Sequence, residues 1–140
     1  MADLNCSGLD DLMLSMQELA EIPDEVQDEM LNAQADVVVL AQKQQGAVYR
    51  VEDTGMTLRS IKKGRIKLYK GQRVIYVTPS GTRKRGKKRI RNAEVAFINE
   101  YGKRGQKARP FIREGNERSA AEATQAALQV YDRWLKSKNL

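Results

Sequence analysis

The chain has no histidine and one cysteine, Cys6, in 140 residues. Without histidine there is no imidazole general base, no Ser-His or Cys-His dyad and no His-based metal site, and a lone thiol cannot close an intramolecular disulfide. Long apolar runs are also missing. The longest, Val37 to Ala41, is far short of the about 20 residues that span a bilayer, and the N-terminus has no basic segment followed by an apolar one. These absences set the expectation of a reduced, cytoplasmic product with no membrane segment. Gly81, Gly86, Gly102 and Gly105 lack the strand-to-helix setting and the Gly-Lys-Ser/Thr ending of a phosphate-cradling loop. Glu94 and Glu100 have no acid partner in an apolar run, so a paired-carboxylate site is not indicated. No internal repeat is present. The expectation is a protein that is not an enzyme, with no catalytic residue, no metal ligand and no cofactor.

What the chain has is charge, unevenly spread. Residues 1 to 49 hold ten acids and one base, residues 50 to 117 hold twenty bases and six acids, and residues 118 to 140 hold four bases and two acids, giving +7 overall. An acidic front and a basic middle imply either neutralisation within one molecule or two charged faces that meet between neighbouring copies. A chain of this length fits one domain, 1-140, and buries about 68% of the surface its unfolded form exposes.

The periodicity is helical first. Ser7 and Asp10 make a capping-box-like start for a helix to about Ala20, with Leu9, Leu12, Met13, Met16 and Leu19 on one stripe. Pro23 is placed as the first residue of a second helix, with Asp24, Glu25, Asp28 and Glu29 near its positive end. Val26, Met30, Ala33, Val37 and Leu40 lie along one face of it, and Gly46 ends it. Thr54 is positioned to cap one or two turns carrying Met56 and Leu58. From Arg65 the period changes to two, and Arg65 to Thr78 reads as an antiparallel hairpin turning at Lys70-Gly71, closed by Pro79-Ser-Gly81. The next segment, about 80 to 91, contains Arg83, Lys84, Arg85, Lys87, Lys88, Arg89 and Arg91. So much like charge predicts an exposed, flexible, irregular loop, and no aromatic interleaves it for base stacking. Clustered cations gain affinity for phosphates by displacing counterions, without reading sequence.

Asn92 is placed to cap a short helix whose buried face is Val95, Ile98 and Tyr101, with Gly102 just past its end. Pro110 restarts order after a basic link, and Phe111 and Ile112 must be buried before the polar run Arg113 to Arg118. Ser119 with Glu122 makes a capping box inside or at the start of a last helix, with Ala123, Ala127, Val130, Tyr131 and Trp134 as its stripe and Lys136 and Lys138 at its negative end. The fold class expected is α+β: two N-terminal helices, a small antiparallel β-sheet with the basic loop, and a long C-terminal helix.

Phe97-Ile-Asn-Glu-Tyr-Gly102 followed by Ala108-Arg-Pro-Phe-Ile-Arg113 resembles the paired signature of the tail-completion or head-tail joining proteins of long-tailed, siphovirus-type bacteriophages. There an aromatic-Val-Glu-aromatic-Gly-Thr segment precedes a Pro-Phe-Leu-Arg-Pro segment. Gly8-Leu-Asp-Asp-Leu12, Asp53-Thr-Gly-Met-Thr-Leu-Arg-Ser60 and the C-terminal helix follow the order of that family, so the resemblance spans nearly the whole chain. It departs at Lys103, often Thr there, and at Glu114-Gly115, often Pro-Ala. The resemblance implies a virion structural protein, assembled in the host cytoplasm. It forms a homo-oligomeric ring, a hexamer, at the neck, joining the tail tube to the head-side connector around a channel for DNA.

Tyr101, Arg109, Phe111 and Trp134 are then candidates for contact with a neighbouring subunit or partner. The basic stretch from Arg83 to Arg91 is a candidate to face DNA in the channel or an acidic partner. An acidic front and basic middle suit the head-to-tail contacts that close a ring. The alternative is a basic nucleic-acid-binding module, against which stands the lack of any known binding motif or aromatic platform.

Overall fold

The structure, a computed structural model, describes residues 22–51 and 55–138. In chain order its elements are α1 (Asp24–Tyr49), α2 (Met56–Arg59), β1 (Ile61–Lys63), β2 (Lys67–Tyr69), β3 (Gln72–Val74), β4 (Val77–Pro79), β5 (Thr82–Arg85), β6 (Lys88–Arg91), α3 (Asn92–Tyr101) and α4 (Phe111–Ser137). The architecture is α+β, as the alternation of helical and two-residue periods implies. The expected helix from Ser7 to Ala20 and the Thr54 cap lie outside the described residues.

α1 and α4 form an antiparallel pair. Near the C-terminal end of α1, Gln42 Nε2 donates to Asn116 Oδ1 and Gln45 Nε2 to Glu114 Oε2, both at 2.8 Å. At the other end Arg133 Nη2 stands 3.5 Å from Glu29 Oε1. The pair is close because its seam is small. Phe111, Gly115, Ser119, Ala123, Ala127 and Val130 fall at helical spacing and are all buried. A Cβ on Gly115 would stand 2.9 Å from Gln42 Cα and 3.1 Å from Gln42 N, so at this point only a glycine lets the two backbones meet.

This seam corrects several expectations. α1 does not stop at Gly46. It continues to Tyr49 and turns off at Arg50, whose φ is 51°. Gly46 is needed for space, since a Cβ there would collide with Leu58 Cδ2 and crowd Phe111 Cδ2 at 3.3 Å. The buried face of α1 is Ala35, Gln42, Gln45 and Gly46 rather than the apolar stripe ending at Leu40, which is 58% exposed. α4 starts at Phe111, well before Ser119. Ser119 is buried inside the helix, donating to Asn116 O at 3.4 Å, and caps nothing.

The β-structure is three short antiparallel pairs. β2 and β3 pair around Lys70-Gly71, both with positive φ, the two-residue turn that matches strand twist. β1 and β4 pair outside them, in the register Ile61↔Pro79 to Lys63↔Val77. Between the ladders three residues, 64 to 66, face two, 75 and 76, which is a bulge in one long hairpin.

The stretch expected as an irregular loop is itself a hairpin. β5 and β6 pair from Thr82↔Arg91 to Arg85↔Lys88, turning at Gly86, φ 66°, and Lys87. A Gly at the first turn position supplies the backbone geometry, and regular pairing follows despite the like charges directly opposite each other at Lys84↔Arg89 and Arg85↔Lys88. The core sits where these parts meet the α1–α4 pair. It comprises Val51, Ile61, Ala96 and Phe111, flanked by Val39, Leu58, Val77 and Ile112.

Candidate interaction face

The two halves of the paired motif touch. α4 has no side-chain cap of its own, because Pro110 precedes it. Glu100, at the end of α3, supplies one: its Oε2 accepts from the N–H of Ile112 at 2.8 Å and its Oε1 from the N–H of Arg113 at 2.9 Å. A carboxylate on the free N–H groups of a helix N-terminus also meets the positive end of the dipole. Beside it the Arg109 N–H donates to Asn99 O at 2.6 Å, and Arg109 Nη1 donates to Arg50 O at 3.0 Å. Residues 97 to 102 and 108 to 113 are thus one clasp that fixes α3 against the start of α4 and the end of α1.

This clasp turns α3. Its buried residues are Asn92, Ala96, Asn99 and Glu100: Glu100 must face inward to reach the N–H groups of α4, and Asn92 turns in to donate to Ser80 O at 2.8 Å. Of the face expected to be buried, Val95 is half-buried but the rest is turned out: Ile98 is exposed, and Tyr101 is 69% exposed and packs at a tilt on Phe97, itself 63% exposed, with ring centroids 4.8 Å apart. Tyr101 is therefore no core anchor, and it is available to a partner. Phe111 is the reverse. It is fully buried at the centre of the core and presents nothing to a partner. Arg109 is half-buried and tied into the clasp, and Trp134 is half-buried near Tyr131 on α4.

Strand alternation sorts the basic hairpin into two faces. Arg83, Arg85, Lys88 and Ile90 share one, and Thr82, Lys84, Arg89 and Arg91 the other. The inner face is anchored by Ile90, half-buried, and by Arg83 Nη2, which donates to Thr57 Oγ1. Arg83 is thus partly a structural cation. Lys84, Arg85, Lys87, Lys88, Arg89 and Arg91 are exposed.

Among the described residues, acids of α1 are neutralised at the other end of the molecule. Arg73 on β3 forks onto Asp28, with Nε to Oδ1 at 2.6 Å and Nη2 to Oδ2 at 2.7 Å, and lies 3.6 Å from Asp24. The Asp28 hydrogen bond pushes the guanidinium pKa up. Lys63 meets Asp36 at 2.8 Å. These pairs consume acids of α1 and cations of the long hairpin, while among the described residues no ion pair takes up Lys84, Arg85, Lys87, Lys88, Arg89 or Arg91 of the β5–β6 hairpin or Lys103 and Arg104 of the loop after α3. At the α1–α4 junction the Tyr49 hydroxyl donates to Glu114 Oε1 at 2.6 Å, and that bond, followed by burial, raises the phenol pKa.

Between the basic hairpin and the loop after α3 lies an open cavity of about 400 Å³. Arg85 reaches it from β5. Lys103 and Arg104 reach it from a tight turn closed by reciprocal Lys103–Gln106 backbone bonds of 3.1 and 2.8 Å, and Arg109 from the clasp. Sequence reasoning alone misses Lys103 and Arg104, which look like link residues, and misses the role of Glu100. The signal for Glu100 is a helix beginning after Pro110 with no Ser, Thr, Asp or Asn to cap it, which demands an acceptor from elsewhere. Among the described residues no helix is long and apolar enough to cross a membrane.

Comparison of the chain with protein-family models, with curated proteins and with solved structures finds no match.

Proposed function

We propose that this protein is a virion structural component of a long-tailed phage, forming a six-membered ring at the head-tail interface and joining the tail tube to the head-side connector around the DNA. The observation that carries the reading is the clasp. The two motif halves that resemble the joining-protein signature are bound to each other through Glu100, Ile112 and Arg113, so the resemblance follows a physical unit rather than scattered residues. The separation of charge along the sequence adds support, since a chain with an acidic front and a basic middle suits head-to-tail contacts that repeat around an axis. In this ring the outer face of the basic hairpin, with Lys84, Arg89 and Arg91, borders the channel. Phosphates are met there without base reading, as sliding DNA requires.

Electron microscopy of the purified full-length chain at rising concentration tests this. Annular particles with a central opening are expected. A monodisperse monomer that retards duplex DNA at moderate salt would instead favour the basic nucleic-acid-binding module, the reading that the exposed hairpin cations would then serve.

A further inference from the structure

The cavity beside the basic hairpin points to what lies between neighbouring copies, an inference that rests on the ring reading. Arg85, Lys103, Arg104 and Arg109 surround it, Val95 and Ile98 supply aliphatic surface, and among the described residues no acidic side chain lines it. Among the described residues none of the four cations takes part in an ion pair. Cations gathered without an anion repel one another, and the arrangement is relieved by a ligand that brings carboxylates. A phosphate backbone answers the charge but offers nothing to Val95 and Ile98. An acidic peptide with aliphatic side chains answers both.

The chain contains such a segment. Residues 1 to 21 hold Asp3, Asp10, Asp11, Glu18 and Glu21 and no base, with Leu9, Leu12, Met13, Met16 and Leu19 among them. We infer that this acidic front segment of one copy docks on the cationic cavity of the next. A second copy is indicated because the front joins α1 at its N-terminal end, whereas the cavity includes Val51, just past the other end. A helix of 26 residues puts about 39 Å between them, a gap that takes about 12 fully extended residues of the front to cross on the same copy, which leaves Asp11, Glu18 and Glu21 short of the cavity. Asp24, Asp28 and Asp36 of α1 are already paired with Arg73 and Lys63, and the front holds the chain's other large group of acids.

Charge-swap variants of the full chain, followed by sedimentation velocity, decide it. Lys103→Glu with Arg104→Glu reverses the cavity rim at exposed side chains, and Asp10→Lys with Asp11→Lys reverses the front. Each variant alone is expected to lose association at least tenfold. An equimolar mixture is expected to regain it, because every junction in an alternating ring of even number is again opposite in charge. Circular dichroism matching the wild type excludes misfolding as the cause. Variants that associate like the wild type, or a mixture that stays dissociated, overturn the docking while the ring reading stands. A wild-type chain that remains monomeric at every concentration overturns both.

Discussion

Glu100 and Ile112 are twelve residues apart in sequence and 2.8 Å apart in space. That hydrogen bond, with its companion to Arg113, is the only side-chain cap at the start of α4 among the described residues. Glu100→Ala should destabilise the protein by about 1–2 kcal/mol, the range for loss of an N-terminal cap. Glu100→Gln, which keeps one acceptor, should cost less. Urea unfolding of the three proteins checks the order, and equal midpoints would remove the clasp from the account.

Gly115→Ala sets two effects against each other. In an open helix the change gains about 1 kcal/mol of propensity, but here the new Cβ meets the Gln42 backbone at 2.9 Å, and overpacking of this kind costs about 1–3 kcal/mol. Net destabilisation is expected, because backbone cannot rotate aside as a side chain can. A raised melting temperature would show that the helices separate freely at this crossing.

Phe111→Ala and Tyr101→Ala should part company. The first empties the core and should cost about 3–5 kcal/mol. The second removes an exposed ring and should leave melting nearly unchanged while weakening assembly. Thermal denaturation and light scattering on both variants separate the roles; a large loss of stability in Tyr101→Ala would contradict the exposed placement.

Much of this fold is legible in the sequence, and the failures have physical causes. Lys70-Gly71 between β-rich runs specifies its turn locally, so reading it needs no tertiary information, whereas the start of α4 at Phe111 is masked by the capping box at Ser119 because its real cap, Glu100, comes from another helix. Gly46 is different: a glycine that ends a helix and one that admits a neighbour look identical until Leu58 and Phe111 are placed. On α3 the rule that apolar residues go inside fails, because Glu100 is drawn in by backbone N–H groups of α4 and Tyr101 is turned out. In the basic run, charge density masks the Gly86 turn. The cavity is invisible in the sequence because its cations come from segments that only the fold brings together.

Alkaline pH should expose the Tyr49–Glu114 bond. The phenol pKa is raised in the folded protein, so the contribution is fully present below its ordinary value near 10 and is lost as pH rises through the raised value. The stability gap between wild type and Tyr49→Phe should therefore be constant at neutral pH and close above about pH 10. Chemical denaturation at stepped pH measures it, and a gap that persists unchanged would mean the hydroxyl does not donate to Glu114.

Replacing Lys84, Arg89 and Arg91 with Gln should leave the fold intact, since all three are exposed and Lys84 faces Arg89 across the hairpin. Non-specific duplex binding should weaken, and its dependence on salt should flatten by about 0.9 in log-log slope for each phosphate no longer neutralised. An unchanged slope would take the outer face of the hairpin away from DNA.

The central claim is that copies of this chain close into a ring, and native mass spectrometry of the full-length protein across a concentration series tests it most directly. The account predicts a dominant species of six times the 15.8 kDa chain mass, with no open-ended ladder of larger multiples. A single-chain mass at every concentration, or an unlimited series of oligomers with no preferred size, would contradict it.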